Sequence, residues 1–211
     1  MQVVAINGSP HKNGNTYLAL KMVTDELEQA GIATKILHIG DKAIRGCLGC
    51  GQCYKQKNGR CVQEGDGANE CIQAMREADG ILLGSPVHYA NIGGTMKAFL
   101  DRAFYVSSAN DGMFRHKVGA GVVAVRRAGG IPAFHQLNTY FTYAEMLIPS
   151  SNYWNSIHGT RPGEAEQDEE GRQILRVLAK NMAWLMRLVE HGKATIPPPE
   201  AEPKVYMNFI R

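Results

Sequence analysis

The stretch that most constrains this chain is its beginning. The apolar run Val3-Val4-Ala5-Ile6 stops in Asn7-Gly8-Ser9-Pro10-His11-Lys12-Asn13-Gly14-Asn15-Thr16, and the residues after it carry Leu20, Val23, Leu27 and Ala30 at close to helical spacing. The pattern reads as strand, loop and helix. In that arrangement the unpaired N–H groups of the first helical turn and the positive end of the helix dipole converge over the strand end, which suits an anion. Ser9, Asn13, Asn15 and Thr16 add neutral donors. Five residues separate Gly8 from Gly14, and Asn15 stands where a Walker A loop has lysine, so triphosphate hydrolysis is disfavoured. Gly8-Ser9-Pro10 also lacks the second glycine of a dinucleotide fingerprint. A single terminal phosphate monoester fits the donors best; the plainer alternative is an N-capped helix after a buried strand.

The rest of the chain repeats the alternation. A helix ending near Gly31 precedes a strand from 33 to 39. Residues 41 to 66 then turn rich in Gly, Cys, Lys and Gln, far longer than an ordinary connection. Ala68, Cys71, Ile72, Met75 and Ala78 mark the inner face of a helix, and Gly80-Ile81-Leu82-Leu83-Gly84 reads as a strand covered on both faces. A helix after Gly93-Gly94, a strand from 118 to 125, a helix over roughly 132 to 145 and a short strand around 146 to 149 follow, with 150 to 168 irregular. The last helix carries Ile174, Leu178, Met182, Leu185 and Val189, and Pro197-Pro198-Pro199 forbids its continuation. The spacing therefore predicts one α/β domain, 1–195, with a doubly wound five-stranded parallel sheet in the order 2-1-3-4-5 and helices on both faces, followed by a Pro-rich tail, 196–211. The segment from Lys204 to Arg211 is expected to drape over this subunit or a partner. Ligands of such sheets bind beyond the carboxyl ends of the strands at the switch point, so residues 9–16 and 86–91 should line one crevice, with 126–130 closing its third side.

A net charge of +3 without a basic block argues against nucleic acid and suits anionic small molecules. No leader precedes the first strand, and no apolar run approaches the ~20 residues that span a bilayer, so a cytoplasmic protein without membrane contact is expected. An odd cysteine count, five, argues against a disulfide framework.

The segments GSPHKNGNT at 8–16, CLGCGQC at 47–53, ADGILLGSPVHYANIGGTMKAFLDR at 78–102, RRAGG at 126–130 and NYWNSIHG at 152–159 together resemble the flavodoxin-like NAD(P)H-dependent FMN reductases, and within them the iron-sulfur flavoproteins. The resemblance implies a flavodoxin-like fold. It implies FMN phosphate on Ser9, Asn13, Asn15 and Thr16, with His11 beside them, and an isoalloxazine wrapped by Pro86, Val87, His88, Tyr89 and Asn91. Ala128, Gly129 and Gly130 would follow its other edge. Tyr89 either stacks on the ring or packs the core. His11, His88 and His135 have no metal-ligand spacing.

Cys47, Cys50, Cys53 and Cys61 have spacings of two, two and seven residues, which let one glycine-interrupted loop wrap a cluster. Zinc suits the pattern less, because only one compact run is present. Reduced thiols and a disulfide remain as alternatives; the resemblance implies a 4Fe-4S cluster on these four. Cys71, on an apolar helix face, reads as core. Trp154 and Tyr153 read as packing residues, with the cap of a substrate pocket or a dimer interface as the other readings, and Lys97 with Asp101 reads as a solvated pair. Phe134, Tyr140, Phe141 and Tyr143 expose enough apolar surface to suggest a homodimer or homotetramer. The expected function is transfer of electrons from NADH or NADPH through FMN to a small-molecule or redox-protein acceptor. The alternatives are a non-catalytic flavodoxin-like carrier and a cysteine-based redox sensor.

Overall fold

Alternation along the first strand decides the architecture. In β1 (Gln2–Asn7), Val4 and Ile6 enter one buried cluster while Val3 and Ala5 enter another on the opposite face. A strand buried on both faces must lie inside a layered sheet, which is why its sequence reads as a continuous apolar run. The computed structural model describes residues 1–207 and 209; Asn208, Ile210 and Arg211 of the expected draped tail lie outside the described residues.

The chain continues through α1 (Asn15–Gln29), β2 (Ala33–His38), α2 (Gln52–Gln56), α3 (Ala68–Glu77), β3 (Gly80–His88), β4 (Asn91–Ile92), α4 (Gly94–Ala109), β5 (Val118–Val125), α5 (Gly130–Tyr143), β6 (Ser156–His158) and α6 (Glu169–Gly192), with a 3-10 turn at Glu164–Gln167 before α6. The sheet order is β2-β1-β3-β5-β6, all neighbours parallel, and β4 pairs only with β3, antiparallel. Setting aside the two-residue β4, the parallel strands stand in the expected order 2-1-3-4-5. Helices α1 and α6 cover one face, and α3, α4 and α5 the other. Leu20 and Leu27 of α1 and Leu178 and Met182 of α6 are wholly buried, each worth about 1.5–3 kcal/mol over an exposed position. Cys71, Met75 and Met96 are core residues, as their helical spacing predicts. Among the described residues no helix is long and apolar enough to cross a membrane.

One expectation needs correction. The last strand is Ser156–His158, and the stretch around 146–149 supplies only an isolated bridge, Leu147 to Val118. The lower end of β5 therefore pairs with Leu147 and its upper end with β6, while residues 148–155 leave the sheet between them. Buried Asn155 patches the gap: its Nδ2 donates to Gly121 O at 3.0 Å and its carbonyl accepts from Val123 N at 3.0 Å. Within the long cysteine-bearing connection, α2 packs its Tyr54 ring edge-on against Tyr105 of α4 with centroids 5.4 Å apart. Of the α5 aromatics, Phe141 is fully buried, Phe134 and Tyr140 pack on the core, and Tyr143 stays exposed. Lys97 and Asp101 form the expected pair at 2.6 Å, and Tyr140 OH also donates to Asp101 at 2.6 Å.

Candidate functional site

The loop after β1 is built around Asn7. This fully buried side chain donates from Nδ2 to Lys12 O at 3.0 Å and accepts at Oδ1 from Ser9 N at 3.0 Å, so both halves of the loop close on one amide. Ser9 Oγ accepts from His11 N at 3.1 Å. His38, at the end of β2, supports the loop from beneath, its Nε2–H donating to Ser9 O at 2.7 Å while Nδ1 faces Asp41 at 3.3 Å. No side chain caps α1 at Gly14, so the N–H groups of Asn15, Thr16 and Tyr17 are free to meet an anion. Ser9 and Thr16 are buried, whereas His11 and Asn13 are exposed on the rim.

The Asn15 side chain is engaged elsewhere. Its Nδ2 donates to Arg161 O at 3.0 Å, and its Oδ1 accepts from Gly163 N and Ala165 N at 3.2 and 3.3 Å. Asn15 can offer an anion its backbone N–H, and its amide ties the segment after β6 to the anion loop. Asn7, His38 and this 161–165 segment were not singled out from the sequence; a polar residue closing an apolar strand was the one available signal, at Asn7.

Beyond the sheet, β3 runs on as a hairpin with β4, pairing Val87 with Ile92 and His88 with Asn91. Tyr89 and Ala90 form its tip with φ of +48° and +59°, the left-handed pair a tight hairpin turn demands. Pro86 and Val87 are half-buried, and His88 and Asn91 exposed. Tyr89 is fully exposed, which removes core packing from its two readings. Buried Ser85 fixes the hairpin base, its Oγ accepting from Gly93 N at 2.9 Å. Gly129, at φ +85°, brings the loop after β5 against the hairpin: a Cβ there would stand 2.8 Å from Ala90 Cα. Gly8 N in turn donates to Gly84 O at 2.8 Å. Residues 8–16, 86–91 and 128–130 thus lie near one another at the carboxyl end of the sheet.

The four cysteines gather at a second place. Cys47, Cys50, Cys53 and Cys61 line one small pocket with Leu48, Val106 and Arg102 of α4. All are free thiols, Cys47 and Cys50 exposed, Cys53 buried and Cys61 half-buried. Burial pushes the Cys53 thiol up from its ordinary range. Asn69 clasps Cys61 reciprocally, accepting from its N–H and donating to its carbonyl, both at 2.8 Å. Among the described residues no three His, Cys, Asp or Glu converge closely enough to hold a single metal ion. Arg102 and its partner Asp66, a buried ion pair beneath this loop, escaped the sequence reading because their partners are remote in the chain. Burial raises the Asp66 carboxyl, but the Arg102 guanidinium and the Ala68 N–H outweigh it and hold that carboxyl below its usual range.

A family model for NADPH-dependent FMN reductases matches residues 1–161. An iron-sulfur flavoprotein of Methanocaldococcus jannaschii is 30% identical over 197 residues, covering 90% of this chain and 100% of its own length. One from Archaeoglobus fulgidus is 33% identical over 202 residues, covering 92% and 97%. The fold is shared with RosB, solved with 8-demethyl-8-formylriboflavin-5'-phosphate, at a TM-score of 0.70 and 13% identity, over 100% of this chain and 92% of that one. With its sheet, its uncapped anion loop and its cysteine loop in place, the chain belongs to the NADPH-dependent FMN reductase family, in the branch of the iron-sulfur flavoproteins.

Proposed function

We propose that the protein is an FMN oxidoreductase that accepts a hydride from NADH or NADPH and passes electrons on, through a cysteine-held 4Fe-4S cluster, to a small-molecule or redox-protein acceptor. The observation that carries the reading is the gathering of three segments at the carboxyl end of the sheet beside a helix start that no side chain caps. The N–H groups of Asn15, Thr16 and Tyr17, with Ser9 and Asn13 around them, would bind the FMN phosphate. Pro86, Val87 and Asn91 would border the ring on one side, and Ala128, Gly129 and Gly130 on the other, where small residues let backbone N–H donors approach. FMN, when bound, supplies the hydride-accepting N5, so the chain needs no acid, base or nucleophile of its own for that chemistry.

The donor set also fits the cluster. Four thiols lining one pocket are a donor set of the kind a sulfide-bridged cluster takes, one cysteine to each iron. Cys47, Cys50, Cys53 and Cys61 would be its ligands, and Gly49 and Gly51, both left-handed, allow the loop its tight turns.

An anaerobic absorbance spectrum with iron and sulfide assay, followed by addition of NADH or NADPH, tests all three parts. Stoichiometric FMN, about four iron per chain and bleaching by one nucleotide are expected. Absence of flavin would sink the cofactor assignment. Flavin without iron after anaerobic reconstitution would remove the cluster, and unbleached flavin would remove the nicotinamide donor. Within this reading Gly129→Ala should release FMN, because alanine adds about 1–2 kcal/mol of left-handed backbone strain and meets the Ala90 backbone. Equilibrium dialysis showing unchanged FMN affinity would take the ring away from residues 128–130.

A further inference from the structure

Among the described residues Arg102 is the largest fully buried side chain, on the inward face of α4 with Phe99, Leu100, Ala103 and Val106. A guanidinium is costly to bury, and its partners show what it holds. Nη1 donates to Arg45 O at 3.3 Å and to the Asp66 carboxylate; Nη2 donates to Gln63 O at 2.7 Å. Arg45 lies two residues before Cys47, and Gln63 two after Cys61, so one side chain closes the neck of the cysteine loop. Its Nε is buried without any partner. The same side chain borders the pocket of the four cysteines and lies beside Cys61. A buried N–H left unpaired is costly, more so on a charged group, so a guanidinium serving only as a staple would spend this donor on a carbonyl as it spends the others.

We propose that Arg102 is the positioning residue and counter-charge of the iron-sulfur cluster, its Nε–H donating to a cluster or cysteine sulfur and its charge raising the cluster's reduction potential. The inference rests on the cluster reading above. Hydrogen bonds to sulfur and nearby charge are two of the terms that set such potentials. A fixed cation favours the more negative, reduced cluster, and the Asp66 carboxylate opposes it, so removing either member moves the potential in opposite directions.

The test is a potentiometric titration, with dithionite as reductant, of anaerobically reconstituted wild type, Arg102→Lys and Asp66→Asn, with iron assayed on each. Arg102→Lys keeps the charge but removes the Nε donor, and loss of that hydrogen bond should shift the one-electron equilibrium about tenfold toward the oxidised cluster, about 59 mV lower; Asp66→Asn reads the charge. Asp66→Asn should shift it upward. Two iron-loaded variants with wild-type potentials would reduce Arg102 to a staple and overturn the proposal. Should Arg102→Lys fold but fail to load, Asp66→Asn decides: an upward shift supports the counter-charge and an unchanged potential overturns it. Wild type that takes up no iron fails at the earlier step, ending the cluster reading and this assignment with it.

Discussion

Gly40→Ala is expected to disable the proposed FMN site without replacing any residue that would contact FMN. Gly40 follows Ile39, whose N–H donates to Asn7 O at 3.0 Å, so the backbone here runs directly beneath the anion loop. A Cβ on residue 40 would lie 2.0 Å from Ser9 O, 2.2 Å from Ser9 C and 2.7 Å from Gly8 C. All three are backbone atoms, so no side chain can swing aside, and the loop must move by about 1 Å. That movement pulls Ser9 from His38 and misaims the N–H groups behind it. Overpacking of this kind costs about 1–3 kcal/mol, and a chain of this size loses about 2–4 °C in Tm per kcal/mol. Each N–H bond to a charged group is worth about 1.5–3 kcal/mol, so misaiming one weakens FMN by about tenfold or more. Fluorimetric titration of the apoprotein with FMN, beside a thermal melt, reads both effects. Gly46→Ala, where the added methyl meets open space, should stay within about 0.5 kcal/mol of wild type. Wild-type FMN affinity in Gly40→Ala would take the phosphate away from residues 8–16.

What the sequence disclosed was what it encodes locally. Helical spacing at Leu20, Val23 and Leu27, and the apolar runs at 3–6, 80–84 and 118–125, mark elements whose determinants lie within a few residues, and all of them form. The loop proposed to hold the anion was legible as a candidate because its donors are contiguous. What positions that loop was not: Gly40 and His38 lie about thirty residues further on and act only through the contact of β2 with β1. The last strand was misplaced for the same reason. Three residues of β6 carry too little pattern to outweigh the apolar Met146-Leu147-Ile148, and what fixes it is Asn155 bonded to Gly121 and Asp168 bonded to His158. Arg102 reads as an interruption of an apolar helix face until Arg45, Gln63 and Asp66 are brought around it. Tyr89 was ambiguous because an aromatic after a strand is a core residue unless the chain turns there, and the left-handed pair at 89–90 is visible only in the backbone.

Half-buried Asp168 should cost more stability on replacement by alanine than Gly40 does, with a smaller effect on FMN. Asp168 caps the 24-residue α6, its Oδ1 accepting from Gly171 N at 2.9 Å, and its Oδ2 accepts from His158 N at 2.6 Å. The carboxylate thus joins the start of α6 to the last residue of β6, a strand too short to hold its own register. Losing the cap costs about 0.5–2 kcal/mol, and losing a charge-assisted bond about 1.5–3 kcal/mol. Together these predict a fall in Tm of roughly 5–15 °C at this chain length. Asp168→Asn retains a good cap with weaker acceptors and should lose about half as much. The segment after β6 leans on Asn15 through Gly163 and Ala165, so loosening it relaxes the anion loop from its far side but leaves Asn7, His38 and the free N–H groups in place. Melting and FMN titration should therefore rank Gly40→Ala and Asp168→Ala in opposite orders, with Gly40→Ala worse for the ligand and Asp168→Ala worse for the fold. An Asp168→Ala protein that melts normally but has lost FMN would make this carboxylate part of the ligand site instead of the strut behind it.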